Sequence, residues 1–392
     1  MRIIKLENGK DKVSSLLKRD QRQYESYETK VRAIVDDVAA KGDSALFKYT
    51  EEFDKIKLNK DTVFVSKDEI DIAVKSIDER LLETMKKSFE NIREYHMKQL
   101  RNSWFDPKPD GTILGQKITP LKRVGVYVPG GKASYPSTVL MNIAPAKVAG
   151  VKEIIMVTPP DKSGNINPVT LAAANIAGVD KILKIGGAQA IAALAFGTET
   201  VAKVDKIVGP GNIFVALAKK YVYGNVSIDS VAGPSEILII ADEGANPRFV
   251  AADLLSQAEH DELASAVLVT TSDKIAEAVS EEVGGFLKTL SRADIIRKSL
   301  DNYGYIFVVR EINDAIDVAN EIAGEHLEIM TQNPFEVMTK IENAGAIFLG
   351  EYSSEPLGDY YAGPNHVLPT NGTARFFSPL GVADYIKKSS IG

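Results

Sequence analysis

The 392-residue chain contains no cysteine. That excludes disulfides, thiolate zinc ligands, iron–sulfur clusters and a thiol nucleophile. Any metal must be held by nitrogen and oxygen, and any aldehyde oxidation must run without a thiohemiacetal. No apolar run reaches the ~18 residues of a membrane helix. No long basic run occurs and the net charge is −6, so nucleic acid is not an expected partner. Met1-Arg2-Ile3-Ile4-Lys5-Leu6-Glu7 lacks the apolar stretch and cleavage site of a signal peptide, and a cytoplasmic location is expected. Histidine is scarce, with four residues.

Three of those histidines sit in dense polar clusters in the last third of the chain: Ser256-Gln257-Ala258-Glu259-His260-Asp261, Gly324-Glu325-His326, and the run from Gly358-Asp359 to Asn365-His366. Imidazole is the side chain best suited to metal ligation and to proton transfer near neutral pH. The clustering points to one assembled site. His96 has no such company and reads as structural or solvent-facing.

Hydrophobic residues make up 44% of the chain, enough for a large core and more than one domain. The first hundred residues show helical spacing at Val31, Ile34, Val35 and Val38, and again from Ile70 to Ile92. From about Arg123, short β-branched runs alternate with Ala-rich helical stretches. The predicted strands are 124–128, 153–158, 181–185, 206–208, 236–240, 266–270, 305–309 and 346–349. Strands alternating with helices imply parallel sheets covered on both faces, here as two α/β units.

Glycine-rich turns occur at Val128-Pro129-Gly130-Gly131, Ile185-Gly186-Gly187, Val208-Gly209-Pro210-Gly211-Asn212 and Ala232-Gly233-Pro234-Ser235-Glu236. Such turns admit close backbone approach, and a following helix offers amides to an anion. A nucleotide at the carboxyl ends of strands is one reading; ordinary strand–helix turns are the other. The dinucleotide fingerprint is absent, because Phe214 stands where the third glycine belongs.

Gln257 and His260, three apart in a helix-forming stretch, share one face. Asp359 and His366 flank Gly363-Pro364 in a loop able to fold around a centre. Oxygen and imidazole donors suit zinc, or manganese in its place; a set of satisfied polar contacts is the plainer alternative. Glu325-His326 reads as a loop or helix start that aims a carboxylate and an imidazole at one substrate, for water activation and for proton transfer from an alcohol.

Taken together, VYVPGG at 126–131, IGGAQAIAALAFG at 185–197, VDKIVGPGN at 204–212, AGPSE at 232–236, LLSQAEH at 254–260, GEHL at 324–327 and GDYYAGPNHVLPT at 358–370 resemble the histidinol dehydrogenase family over nearly the whole chain. The resemblance implies zinc-dependent oxidation of L-histidinol to L-histidine, through an aldehyde, with two NAD+. It implies zinc ligands at Gln257, His260 and Asp359, an alcohol-deprotonating base at His326 and a water-activating Glu325. It further implies substrate contacts at Ser235 and His366, NAD contacts at Tyr127, Gln189 and Asn212, and a cytoplasmic homodimer.

The implied fold is α/β: two incomplete Rossmann-like domains, one inserted in the other, with a helical N-terminal part. The implied boundaries are an N-terminal segment 1–25, a first domain of 26–126 with 237–379, an inserted domain 127–236, and the start of a tail at 380–392. In the family, a longer tail supplies a glutamate and a histidine to the partner's site, the histidine being the zinc's fourth protein ligand. This chain stops before them. Weakened zinc binding and lowered turnover are therefore expected of it, with a form that binds substrate without turning it over as the alternative.

Overall fold

The structure, a computed structural model, describes residues 1–7, 13–17, 25–130 and 135–392. Gly131 of the first glycine turn lies outside them. The chain forms two compact units. One comprises Met1–Asp20, Ala232–Asp359 and Leu368–Pro379; the other comprises Gln21–Val231, Tyr360–Val367 and Leu380–Gly392.

The first unit is built on six parallel strands in the order Arg2–Lys5, Gly304–Val308, Ser265–Thr270, Glu236–Ala241, His326–Met330, Ala346–Leu349. The chain enters the middle at Glu236–Ala241, steps outward twice to Gly304–Val308, then returns to the other flank for the last two strands. The second unit repeats that wiring: Lys181–Leu183, Glu153–Val157, Arg123–Tyr127, Lys206–Val208, Ser227–Ile228, again all parallel. Leaving aside the added edge strand Arg2–Lys5 of the first, each follows the dinucleotide-binding order 3-2-1-4-5-6 without its sixth strand. The central strands are buried on both faces, as Glu236–Ala241 and Ser265–Thr270 show along their full lengths; this is why they read as continuous apolar runs.

Helices return the chain between strands. Two start at an Asn-Pro pair whose asparagine caps the helix: Asn167 accepts from Val169 N–H and Asn246 from Arg248 N–H. The helical first part of the chain belongs to the second unit, not, as expected, with 237–379. The reason is packing. Helix Glu25–Lys41 buries Val31, Ile34, Val35 and Val38 against the Ala-rich helix Gly187–Phe196, and helix Glu79–Met97 packs on Pro136–Ala149. Val65 N–H also bonds Ile182 O, and Lys184 N–H bonds Val63 O, extending that sheet's edge.

Of the predicted strands, all eight are present; 206–208 and 346–349 coincide, and the others have ends shifted by one or two residues. The sequence reading missed His326–Met330, and it missed an antiparallel sheet of Ile386–Ile391, Ile113–Pro120 and Trp104–Pro107. The glycine turn at 232–236 differs from the other three: it leads into strand Glu236–Ala241, so Ser235 lies at an amino end.

Candidate active site

Glu325 and His326 open the strand His326–Met330, which pairs with Glu236–Ala241. They are not at a helix start. Glu325 precedes the strand and escapes its alternation of faces, so both side chains turn toward one backbone residue. The Glu236 N–H donates to Glu325 Oε2 at 2.9 Å, and His326 Nδ1 donates to Glu236 O at 3.1 Å. The other ring nitrogen, Nε2, meets Asp359 Oδ2 at 3.1 Å. Both nitrogens of His326 thus face acceptors, which favours the imidazolium. Burial pulls the His326 pKa down, but the Glu325 and Asp359 carboxyls outweigh it and raise it to about 10. Burial pushes Glu325 up to about 8, against the opposing pull of His326.

Gln257 lies in the last turn of helix Pro247–Ala258, and His260 falls just beyond that helix, in the turn after it. The two still meet, with Gln257 Nε2 3.4 Å from His260 Nδ1. Gln257 is 1% exposed, and its Oε1 is buried with no hydrogen-bond partner. A buried orphan carbonyl oxygen is costly unless something fills it, and a cation does so. His260 is reachable by solvent, yet surrounding protein desolvates the ring and lowers its pKa. That favours the neutral imidazole a metal requires. Charges on Asp359 and His326 also act on His260, so these residues form one neighbourhood. Single donor atoms of His326, Glu355 and Asp359 lie within 4.8 Å of one another, a set able to hold a cation. The donors present therefore fit a nitrogen- and oxygen-ligated zinc.

Sequence reasoning did not single out Glu355. It is 2% exposed, and burial raises its pKa to about 7. Its Oε2 accepts from Ser256 Oγ at 3.3 Å. In sequence it is one glutamate before a proline, four residues ahead of Asp359; only that spacing hinted at a shared face.

The second unit carries the remaining predicted residues except Ser235. Tyr127 ends its strand, is buried, and accepts the Gly187 N–H on its hydroxyl at 3.2 Å; burial pushes its pKa to about 12. Gln189 lies in the first turn of helix Gly187–Phe196, after the strand Lys181–Leu183, buried, its Oε1 without a partner. Asn212 caps helix Ile213–Val222 by accepting from Phe214 and Val215 N–H. Gly209 adopts φ +110°, and a Cβ there would lie 2.1 Å from Tyr127 O. Both sides of this glycine are clamped. Its N–H donates to Asp229 at 2.7 Å, Lys219 donates to its carbonyl at 2.9 Å, and Lys219 and Asp229 form a buried ion pair. Asp54 Oδ2 is buried without a partner, and the Asp54 charge acts on Tyr127.

His366 packs its ring against Tyr360, centroids 6.2 Å apart. Its neighbour Asn365 donates to Met141 O at 2.8 Å and contacts His96 Nε2 at 3.3 Å. His96 is fully buried and bonds Ile92 O through Nδ1, so it is structural.

Doubly wound parallel sheets, a buried carboxyl and imidazole held by one backbone residue, and a cluster of oxygen and nitrogen donors that could hold a cation are the features of an α/β enzyme. Residues 17–392 match the family model described as histidinol dehydrogenase. A histidinol dehydrogenase of Clostridium acetobutylicum is 56% identical over 98% of this chain and 88% of its own length. The crystal structure of the Elizabethkingia anophelis histidinol dehydrogenase superposes with a TM-score of 0.95 at 40% identity, covering 100% of this chain and 90% of that one. A Sinorhizobium meliloti NAD-dependent aldehyde dehydrogenase shares the fold alone, with a TM-score of 0.52 at 11% identity over 93% of this chain and 86% of that one. The chain belongs to the histidinol dehydrogenase family. Among the described residues, no helix is long and apolar enough to cross a membrane.

Proposed function

We propose that the chain oxidises L-histidinol to L-histidine with two NAD+, using zinc held by Gln257, His260 and Asp359. The observation that carries this reading is the Glu325–His326–Asp359 arrangement, an acid and an imidazole fixed by Glu236 and joined to a third, ligand-type carboxylate. When bound, zinc would supply charge that orients the amino alcohol and polarises its oxygen.

The chain's own residues handle protons. His326 accepts the alcohol proton as hydride leaves carbon for NAD+, giving the aldehyde and NADH. Glu325 then accepts a proton from water, whose oxygen adds to the aldehyde carbon. The hydrate loses a second hydride to a second NAD+, its proton again passing to His326, and the carboxylate results. Overall, one alcohol and one water yield one carboxylate, two NADH and three protons. For the first step His326 must present a free nitrogen. Asp359 now engages Nε2, so Asp359 must release that nitrogen before His326 can act as the base; Asp359 would be free to do so where it holds zinc. Tyr127, Gln189 and Asn212 are read as NAD+ contacts; the partnerless Gln189 oxygen supports this. Ser235 and His366 are read as substrate contacts.

The test is NADH yield per histidinol in the presence of zinc. Two supports the reading, one means oxidation stops at the aldehyde, and none overturns it. The reading includes a homodimer in the cytoplasm, so sedimentation should give about twice the 42.6 kDa chain mass.

A further inference from the structure

The strand His326–Met330 is buried along its whole length, yet its third residue is an acid. Glu328 is 1% exposed. Strand alternation puts it on the same face as His326. One of its oxygens accepts the Glu355 N–H at 3.0 Å. The other is buried with no donor on it, and the Asp253 carboxyl is near enough for the two acids to act on each other. Burial raises the pKa of both acids, which favours a proton on the pair.

The partners are placed in a telling way. Asp253 belongs to helix Pro247–Ala258, one turn before Gln257 and on the same face. Glu355 stands four residues before Asp359, and its carboxyl is reached by Ser256 of that same helix. Glu328 therefore touches each segment that delivers a site residue: the helix with Gln257, the turn with Asp359, and its own strand with His326. A buried acid in a strand interior is destabilising unless fully partnered, and apolar residues would pack there at lower cost.

We propose that Glu328 is a positioning residue, whose carboxyl, set beside Asp253 and accepting the Glu355 N–H, sets the spacing between the Gln257 helix, the His326 strand and the Asp359 turn. The inference rests on the reading of those three residues as metal and acid–base groups. Supporting groups of this kind change metal affinity ~10–100-fold when removed.

The test compares Glu328→Gln with Glu328→Leu. Glutamine still accepts from Glu355 N–H and can donate to Asp253; leucine does neither. Zinc affinity is measured by competition with a chelator, well below each variant's Tm, together with kcat and KM. Glutamine should keep zinc affinity within about threefold of the parent, and leucine should lower it ~10–100-fold. The loss should appear in kcat with KM for NAD+ unchanged. Where the leucine variant does not fold, Asp253→Ala replaces it, with the same expectation. Unchanged zinc affinity in the folded leucine variant, or in Asp253→Ala where that replaces it, overturns the proposal, as does an equal loss with glutamine. A parent chain that binds no zinc overturns the underlying reading instead, so the two failures are distinguishable.

Discussion

In the second unit, Tyr127, Gln189 and Asn212 follow strands and lie at the carboxyl ends of the sheet, where two helices begin. In the first unit, Ser235, Glu325 and His326 precede or open strands, and Gln257 and His260 lie at the end of a helix, so the site is at the amino ends. Apart from the edge strand Arg2–Lys5, the wiring of the two sheets is the same. The difference follows from the backbone's partial charges. Carboxyl ends meet helix N-termini, whose free amides suit the phosphates of a nucleotide. Amino ends meet helix C-termini, whose carbonyls carry partial negative charge and suit a cation. On the proposed reading, one topology would serve two ligand charges through its two ends.

The comparison breaks most sharply at the acid–base pair. His326→Gln should lower NADH formation by ~10²–10⁴-fold, the usual span for losing a positioned proton acceptor. Glu325→Gln should spare the first hydride transfer, so rapid-quench assays should find one NADH per histidinol and accumulated aldehyde. Both variants should bind NAD+ like the parent, by fluorescence titration, since NAD+ contacts are assigned to the other sheet. Weakened NAD+ binding in either would contradict the division. Next in size, His260→Ala should reduce zinc affinity ~100-fold or more, because even supporting groups account for 10–100-fold; chelator competition measures it.

On the other sheet, Lys219→Met leaves Asp229 buried and uncompensated beside Gly209. Losing one partner of a buried pair costs ~3–5 kcal/mol. Denaturant melts should show that loss, NAD+ affinity should fall, and zinc affinity should hold. The smallest effect belongs to Asp54. Burial raises its pKa to about 6 from 3.8, so its protonated form is favoured by folding. Its contribution is full below the unfolded pKa and is lost as pH rises through about 6. Asp54→Asn should therefore raise Tm at pH 7.5 and leave it unchanged at pH 3.5; a rise at both would contradict the account.

Sequence alone made much of this legible, for physical reasons that also mark where it stopped. Central strands such as Glu236–Ala241 are covered on both faces and stand out as apolar runs. The strand His326–Met330 did not, because His326 and Glu328 interrupt the pattern with polar groups buried for reasons a single sequence does not display. The short antiparallel hairpin was missed because its residues are exposed, with Trp104 and Phe105 over half so. Gln257 and His260 do meet, though across the turn after the helix and not along its face as the spacing implied. Glu355 and Glu328 were not foreseen, since a lone glutamate ordinarily signals a solvated surface. The grouping of the first hundred residues went astray because helix faces show what they bury, not which sheet they bury it against.

The most direct test is crystallography of the zinc-soaked protein, with anomalous differences collected at the zinc edge. The account predicts a peak at the amino ends of the first unit's sheet, within bonding distance of Gln257 Oε1, His260 and Asp359, with His326 Nε2 released from the carboxylate. A peak elsewhere, or zinc bound while Asp359 still holds His326, would contradict it.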